Sequence, residues 1–316
     1  MLGVIVLSFN NYEETTGPCL RSLAEDAEST DWHVLVVDNG SDAATQAMLK
    51  QARIEYGRFE FLQNGANLGY AGGNNAGLKR ISGDPLVLLN SDTQCPPGML
   101  GRLAGVMKSH PEYGLAGPVT NAAGNEQRIF VKPGSVERIR EQGADYANTG
   151  EGVVLDCHRL DFFCVMLRRS VIDGVGLLDE SFGRGYYEDF DYCLRARAAG
   201  YRLGVVESAF IYHRGSASFG KISVESKQLL KRNKLRIVEK HGAAVEFPHV
   251  RDGNLAVLRA YARMLHESPS RFEYRIRNRL RLAWSDQPRG WFKRFRYRQR
   301  LKAIEEALQL SPLPSF

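Results

Sequence analysis

Short, uniformly apolar runs alternate with amphipathic stretches through the first part of the chain. Val4 to Leu7 is apolar and leads into Ser8 and Asn10, which reads as a buried strand over Val4 to Asn10. A helix is expected from about Glu13 to Ala27, then a second strand over His33 to Asp38 closed by Asn39-Gly40, then a helix from about Ala43 to Tyr56. A short strand follows at Phe59 to Leu62, Asn75 opens a helix to Ile81, and Pro85 to Asn90 forms a fourth strand. Strands that are apolar throughout and alternate with helices imply a mostly parallel sheet covered on both faces. Such sheets take ligands beyond the carboxyl ends of their strands. Those ends are Ser8–Asn10, Asp38–Ser41 and Asn90–Asp92, and all three are polar.

From about Gly117 the alternation gives way to longer loops and then a strand-like run from Leu160 to Leu167. A helix beginning near Asp189 stops at Gly200, which suits a helix C-terminus. Short strands are expected at Tyr201–Val206 and Ala209–His213, and beyond about Ser223 the pattern is helical.

The 316 residues fit one large domain, or one domain with an appendage. Leu2 to Leu7 lacks the basic start and cleavage site of a secretory signal, and no segment approaches the ~20 apolar residues of a spanning helix. A cytoplasmic protein, peripheral at the inner face of the cell membrane, is therefore expected. The five cysteines form no CxxC pair and read as free thiols rather than a disulfide framework or zinc site. The net charge of +6 is unevenly spread: Arg271 to Lys302 holds twelve Lys/Arg and two Asp/Glu, a local +10, leaving the remainder at −4. The basicity therefore belongs to a C-terminal segment and says nothing about what the main body binds.

Four constellations carry candidate chemistry. Asn90-Ser91-Asp92 follows an apolar strand, where a carboxylate suits a hard divalent cation that keeps sites open for phosphate oxygens; an Asp in such a turn also serves structure alone. Tyr186-Tyr-Glu188-Asp189-Phe-Asp191 places three carboxylates in four residues, more than a helix cap needs. Asn67 to Gly77 is a glycine- and asparagine-rich loop feeding a helix, in which small residues let backbone N–H groups approach an anion; it is neither GxGxxG nor a P-loop. His213 ends a strand and can ligate a metal through a neutral ring nitrogen, and Arg214, heading the run to Ser218, can meet phosphate.

Taken in order, VIVLSFN, VVDNGSD, NLGYAGGNNAG, LLNSDT, GLLDESF, YYEDFDYCLRARAAGY and IYH resemble glycosyltransferase family 2, the inverting enzymes of the GT-A fold, nearest the bacterial rhamnosyltransferase and galactofuranosyltransferase branches. The resemblance covers roughly residues 3 to 240. It implies an α/β, Rossmann-like, mostly parallel central sheet flanked by helices. Residues 1–116 would form the nucleotide-sugar-binding half and 117–240 the acceptor and catalytic half, with 241–316 a helical basic extension. It implies that Asp38, helped by Ser8, Asn10 and Asn39, contacts the nucleotide, and that Asn67, Gly69, Gly73, Asn74 and Ser91 lie along the nucleotide and donor sugar. Asp92 matches the last acid of the family's DxD motif and, with His213, would hold Mg²⁺ or Mn²⁺ against the diphosphate. Asp189 matches the general base, and Glu188 and Phe163 are expected to bind the acceptor. Position 90 is Asn where the motif has Asp, so the metal site carries less charge and would bind weakly until the nucleotide arrives. The implied donor is dTDP-rhamnose or a UDP-sugar, and the acceptor a glycan or lipid-linked sugar of cell-surface polysaccharide or glycolipid assembly. Phe162, Phe163 and a loop from Asn121 to Gly152 would set specificity. A nucleotidylyltransferase is the alternative enzyme, but Ser8 to Tyr12 lacks its Gly-rich basic loop. A non-catalytic membrane-associated adaptor is the other, opposed by Asp92, Asp189 and His213.

In the C-terminal segment Phe272, Ile276, Leu280 and Trp284 recur every four residues among arginines, an amphipathic basic helix. Pro288-Arg-Gly290 breaks it, and Trp291, Phe292 and Phe295 then mix with Lys293, Arg294, Arg296 and Arg298. Basic and aromatic residues together favour docking on an anionic membrane surface. The alternative is packing of the apolar stripe on the catalytic domain; no nucleic acid is expected.

Overall fold

Apolar strands buried on both faces must lie inside a helix–sheet–helix sandwich, and Val4, Ile5, Val6, Val34 to Val37 and Leu86 to Leu89 are all at or near zero exposure. The computed structural model describes residues 1–27, 32–215, 224–265 and 269–308, apart from the side chains of 27 and 269–271. In chain order the elements are β1 (Leu2–Ser8), α1 (Thr16–Ala27), β2 (Trp32–Asp38), α2 (Ala43–Glu55), β3 (Glu60–Gln63), α3 (Gly69–Arg80), β4 (Leu86–Asn90), β5 (Thr93–Gln94), α4 (Met99–Ser109), β6 (Tyr113–Val119), α5 (Val136–Asn148), β7 (Val154–Asp156), β8 (Cys164–Leu167), α6 (Arg169–Val175), a 3-10 turn (Glu180–Phe182), α7 (Glu188–Ala198), β9 (Arg202–Phe210), β10 (Tyr212–His213), α8 (Val224–His241), α9 (Val250–Met264), α10 (Pro269–Ser285) and α11 (Trp291–Leu308).

The main sheet has the order β3-β2-β1-β4-β8-β6-β9-β7. Strands β3, β2, β1 and β4 are parallel, whereas β8 runs antiparallel to both neighbours and β7 antiparallel to β9. The mostly parallel, helix-flanked sheet expected from the sequence is present. Register brings the polar strand ends together: Ser8 lies opposite Asp38, and Leu7 opposite Asn90. Because β8 runs backwards, its start lies at the end of β4, where Asn90 donates its backbone N–H to Phe163 O at 2.8 Å.

Three local expectations need correction. The stretch from Asn67 is not a loop up to Asn75: α3 begins at Gly69. Its glycines serve close packing, since a Cβ on Gly73 would stand 2.5 Å from Leu7 and 3.0 Å from Asn39. The segment from Asn121 to Gly152 is not a loop throughout, because it contains α5, which packs Tyr146 and Ala147 into the core. The strand-like run from Leu160 yields strand only from Cys164, since Leu160 to Phe163 form the loop entering β8. All five cysteines are free and buried, as expected.

The C-terminal helices share the core of the sheet. Leu255, Leu258, Tyr261, Ile276, Leu280 and Leu301 belong to the same apolar cluster as Val4 and Leu88. Strand β6 crosses the 116/117 junction, and α8 runs through residue 240. No helix among the described residues is long and apolar enough to cross a membrane.

Beneath α10 lies a buried ionic cluster. Arg275 and Arg279 have no exposure and face Glu207 of β9, itself fully buried. Glu207 accepts from Arg279 at 2.7 Å, from Tyr146 OH at 2.7 Å, and from Arg275 and Tyr261 OH. The Arg275 guanidinium also lies 4.0 Å over the Tyr146 ring. Two of the arginines that gave this helix its basic character thus bind the core.

Candidate active site

The turns after β1, β2 and β4 converge at one edge of the sheet. After β1 the chain turns through Asn10 and Asn11, both with left-handed φ (54° and 51°). Asn10 is tied to the next turn twice, donating N–H to Ser41 Oγ at 3.0 Å and accepting from Asp42 N–H at 2.8 Å. The Ser8 hydroxyl is buried against Thr16 Oγ1 at 2.8 Å. Asp38 accepts from Ser41 N–H at 3.0 Å and is nearly buried. Asn39 is a hub for the approach to α3: its amide donates to Asn67 Oδ1 and Gly69 O, and its Oδ1 accepts from Asn64 Nδ2 and Leu68 N–H. Asn67 Oδ1 in turn takes the Gly69 N–H at 2.8 Å. The Asn39 N–H donates to Ser8 O at 2.9 Å and the Asn64 N–H to Asp38 O at 2.8 Å, so Ser8, Asn10, Asp38, Asn39 and Asn67 form one bonded rim. Asn74 lies inside α3, donating to Tyr70 O, with its Oδ1 buried and without a protein partner.

Asp92 follows β4 and Ser91. The two-stranded pairing of β10 with β5 sets His213 opposite Thr93, so His213 Nε2 comes within 3.4 Å of Asp92 Oδ1. The imidazole is fixed on three sides. Its Nδ1–H donates to Ala122 O at 2.7 Å, Phe163 stacks on it at 5.1 Å between centroids, and its backbone exchanges two bonds with the Asn121 amide. Burial disfavours charge on His213, but the Asp92 carboxylate outweighs it and raises the pKa. With Nδ1 committed as donor, Nε2 of the neutral ring is the atom that faces Asp92. One carboxylate oxygen and one imidazole nitrogen fit a divalent cation whose other sites are filled by phosphate oxygens and water. They do not make a cage for a resident ion, and among the described residues no group of three His, Cys, Asp or Glu does. Arg214, next in sequence, is engaged elsewhere: it donates to Glu14 O and Glu14 Oε2, both at 2.7 Å. Ser216 to Ser218, read from the sequence as part of this run, lie outside the described residues.

The acidic cluster opens α7. Asp191 is fully buried and paired with Arg195, Lys240 and His241 at 2.8 Å each, so it fastens α8 to α7. Glu188 and Asp189 remain for chemistry. Both have raised pKa values. For Glu188 the causes are burial and then the Asp189 charge; for Asp189 they are burial and then the Asp161 charge, opposed by Arg159. Glu188 Oε2 is buried without a protein partner. The loop before the pair is held in unusual backbone: Tyr186 and Tyr187 have φ of 69° and 78°, conformations costly for residues with a Cβ. Asn233 of α8, wholly buried, compensates by donating its amide to Phe182 O, Gly185 O and Tyr186 O at 2.8, 2.9 and 2.9 Å. From the other side Gly69 meets the same loop so closely that a Cβ would stand 2.1 Å from Gly183 O.

Asp161 and Arg159, paired at 3.2 Å, carry electrostatic weight that sequence patterns miss. The Asp161 charge acts on both His213 and Asp189. The one signal was a charged residue in an apolar run read as strand. Asn75, also missed, joins α3 to the GLLDESF stretch, bonding Leu178 twice and Glu180 once.

The profile of Glycosyl transferase family 2 matches residues 3–176, more than half of the chain. The low-salt glycan biosynthesis hexosyltransferase Agl10 of Haloferax volcanii is 25% identical over 185 residues, 54% of this chain and 55% of that protein. The undecaprenyl-phosphate 4-deoxy-4-formamido-L-arabinose transferase of Salmonella choleraesuis is 25% identical over 169 residues, 52% of this chain and 50% of that one. The chain thus spans about half the length of these curated relatives. The crystal structure of GalNAc-T7 with UDP, GalNAc and Mn2+ aligns with a TM-score of 0.57 at 14% identity, over 76% of this chain and 48% of that one. Family profile and sheet architecture agree, and the chain belongs to glycosyl transferase family 2 with a GT-A fold.

Proposed function

We propose that this chain transfers a sugar from a nucleotide-diphosphate donor to an acceptor hydroxyl in a single displacement that inverts the anomeric centre, with Asp189 as general base. The observation that carries the reading is geometric. The loop entering β8 stacks Phe163 on His213, which lies 3.4 Å from Asp92, and the same loop holds the Arg159–Asp161 pair beside Asp189, so the loop joins the Asp92–His213 pair to the proposed base. A sugar hydroxyl is a weak nucleophile, and a positioned carboxylate that removes its proton as it attacks lowers the barrier. A raised pKa makes Asp189 a better proton acceptor than an ordinary surface carboxylate. Glu188, buried with an unpartnered oxygen, suits the hydroxyls of the acceptor.

Asp38 and the Asn39–Asn67 rim are assigned to the nucleotide and Asn74 to the donor sugar, with Asp92 and His213 holding Mg²⁺ or Mn²⁺. When bound with the nucleotide, such a cation supplies positive charge to the leaving diphosphate. Arg214 reaches phosphate in this scheme by exchanging Glu14 for it. For the donor sugar dTDP-rhamnose is the first candidate and UDP-sugars the second. The acceptor is a glycan or a lipid-linked sugar, in keeping with the undecaprenyl phosphate named for the Salmonella relative. The test is nucleoside-diphosphate release from a panel of nucleotide sugars, with glycan and polyprenyl-phosphate acceptors. Acceptor-dependent release by the wild type and its loss in Asp189→Asn support the reading. Undiminished release by Asp189→Asn removes the base from the scheme.

A further inference from the structure

We propose that the N-terminal half of α11 docks this protein on an anionic lipid bilayer. The helix has two apolar faces, and only one is used inside the molecule. Tyr297, Leu301, Ile304 and Leu308 are buried, and Trp284 of α10 donates to Glu305 at 2.8 Å, so α11 is fixed to the body. At about 100° per residue these side chains share one face. Trp291, Phe292 and Phe295 project roughly opposite it, exposed to 79%, 62% and 48%. Trp291 and Phe295 stack at 5.8 Å between centroids, which presents a flat aromatic surface to the outside.

The rim of that surface is basic. Between Gln287 and Ile304 there are seven Lys/Arg and no Asp/Glu. Arg296 and Lys302 are exposed on the aromatic side of the helix and Lys293 is exposed beside its buried face, and the Arg296 guanidinium lies 5.9 Å over the Phe292 ring. Rings that enter the headgroup boundary, flanked by cations that meet lipid phosphates, are the features of an interfacial helix. Charge complementarity selects an anionic bilayer over a neutral one. An isolated ring stack on a convex helix offers no groove to a nucleic-acid strand. Docking is thus confined to α11, because the arginines of α10 that pair with Glu207 are buried. The proposal is independent of the donor, the acceptor and the transfer reaction.

The test is flotation of the full chain with phosphatidylcholine vesicles, with and without phosphatidylglycerol. The wild type is expected to float with the anionic vesicles and to bind neutral ones at least tenfold more weakly. The triple change Trp291→Ser, Phe292→Ser, Phe295→Ser is expected to weaken anionic binding by tenfold or more. Lys293→Gln, Arg296→Gln, Lys302→Gln together should weaken it about a hundredfold, at roughly fivefold per charge near an anionic surface. Both variants change exposed side chains and should keep the wild-type melting temperature. Failure of the wild type to float with anionic vesicles overturns the proposal, as does wild-type binding by the aromatic variant. A lipid-free wild type that sediments as a dimer while the aromatic variant is a monomer also overturns it, and assigns the face to a second copy.

Discussion

Replacing Glu207 by Gln keeps the shape of the ionic cluster under α10 and removes its negative charge. Burial alone would raise the Glu207 pKa, but Arg279 and Arg275 bring it down from the ordinary 4.5 to about 2. A depression of that size corresponds to about 3 kcal/mol of stability at neutral pH. The variant also leaves two buried guanidiniums without their shared counter-charge, and breaking a buried pair costs about 3–5 kcal/mol. In a chain of this size 1 kcal/mol moves the melting temperature by about 2 °C, so a fall of roughly 6–10 °C is expected. The pH dependence has a definite sign. A depressed carboxylate stabilises fully above its unfolded pKa and loses that contribution as the pH falls through its folded pKa. The gap between wild type and variant should be widest above pH 4.5 and close as the pH falls toward 2. Thermal and urea unfolding followed by circular dichroism measure it. A gap under about 1 kcal/mol at neutral pH, or one that does not narrow in acid, would refute the reasoning.

Asp189→Asn should lower kcat by about 10²- to 10⁴-fold and leave nucleotide affinity within a few-fold, read by steady-state kinetics and calorimetry. With Asp189 as base, activity should fall on the acid side as its carboxylate is protonated, and its raised pKa places that limb above the usual carboxylate range; a flat profile down to about pH 4 contradicts the role. Asn233→Ala unties three carbonyls from the Tyr186–Tyr187 loop. It should reduce kcat more than nucleotide affinity, and equal losses in both would speak against a positioning role. Gly69→Ala sets a Cβ against the Gly183 carbonyl at a φ of +75°, and should cost about 1–3 kcal/mol of stability together with activity; wild-type melting would show that the two loops do not touch.

The first half of the sheet was legible because its strands are uniformly apolar and end in polar residues. Residues 34–37 and 86–89 announce both the parallel sheet and its polar edge. The glycine run was misread as a loop because low helix propensity is overridden when only a bare backbone fits between α3 and β1. Arg275 and Arg279 looked like solvent-facing charge, since sequence cannot reveal that Glu207, some seventy positions earlier, waits beneath them. Asp92, His213 and Asp189 are singled out by motif order, whereas Asp161 comes near His213 and Asp189 only because β8 runs antiparallel to β4, a fact of topology rather than local pattern.

The central claim is that the edge formed by Asp38, Asp92, His213 and Asp189 binds a nucleotide diphosphate together with a divalent cation. The most direct measurement is the melting temperature of the wild type and Asp92→Ala against a panel of nucleoside diphosphates, with and without Mn²⁺. At about 100 times Kd a ligand specific to the folded state adds about 2.7 kcal/mol. One nucleotide should stabilise the wild type, more so with Mn²⁺, and Asp92→Ala should lose the Mn²⁺ increment. No shift with any nucleotide at millimolar concentration, with or without Mn²⁺, would contradict the account.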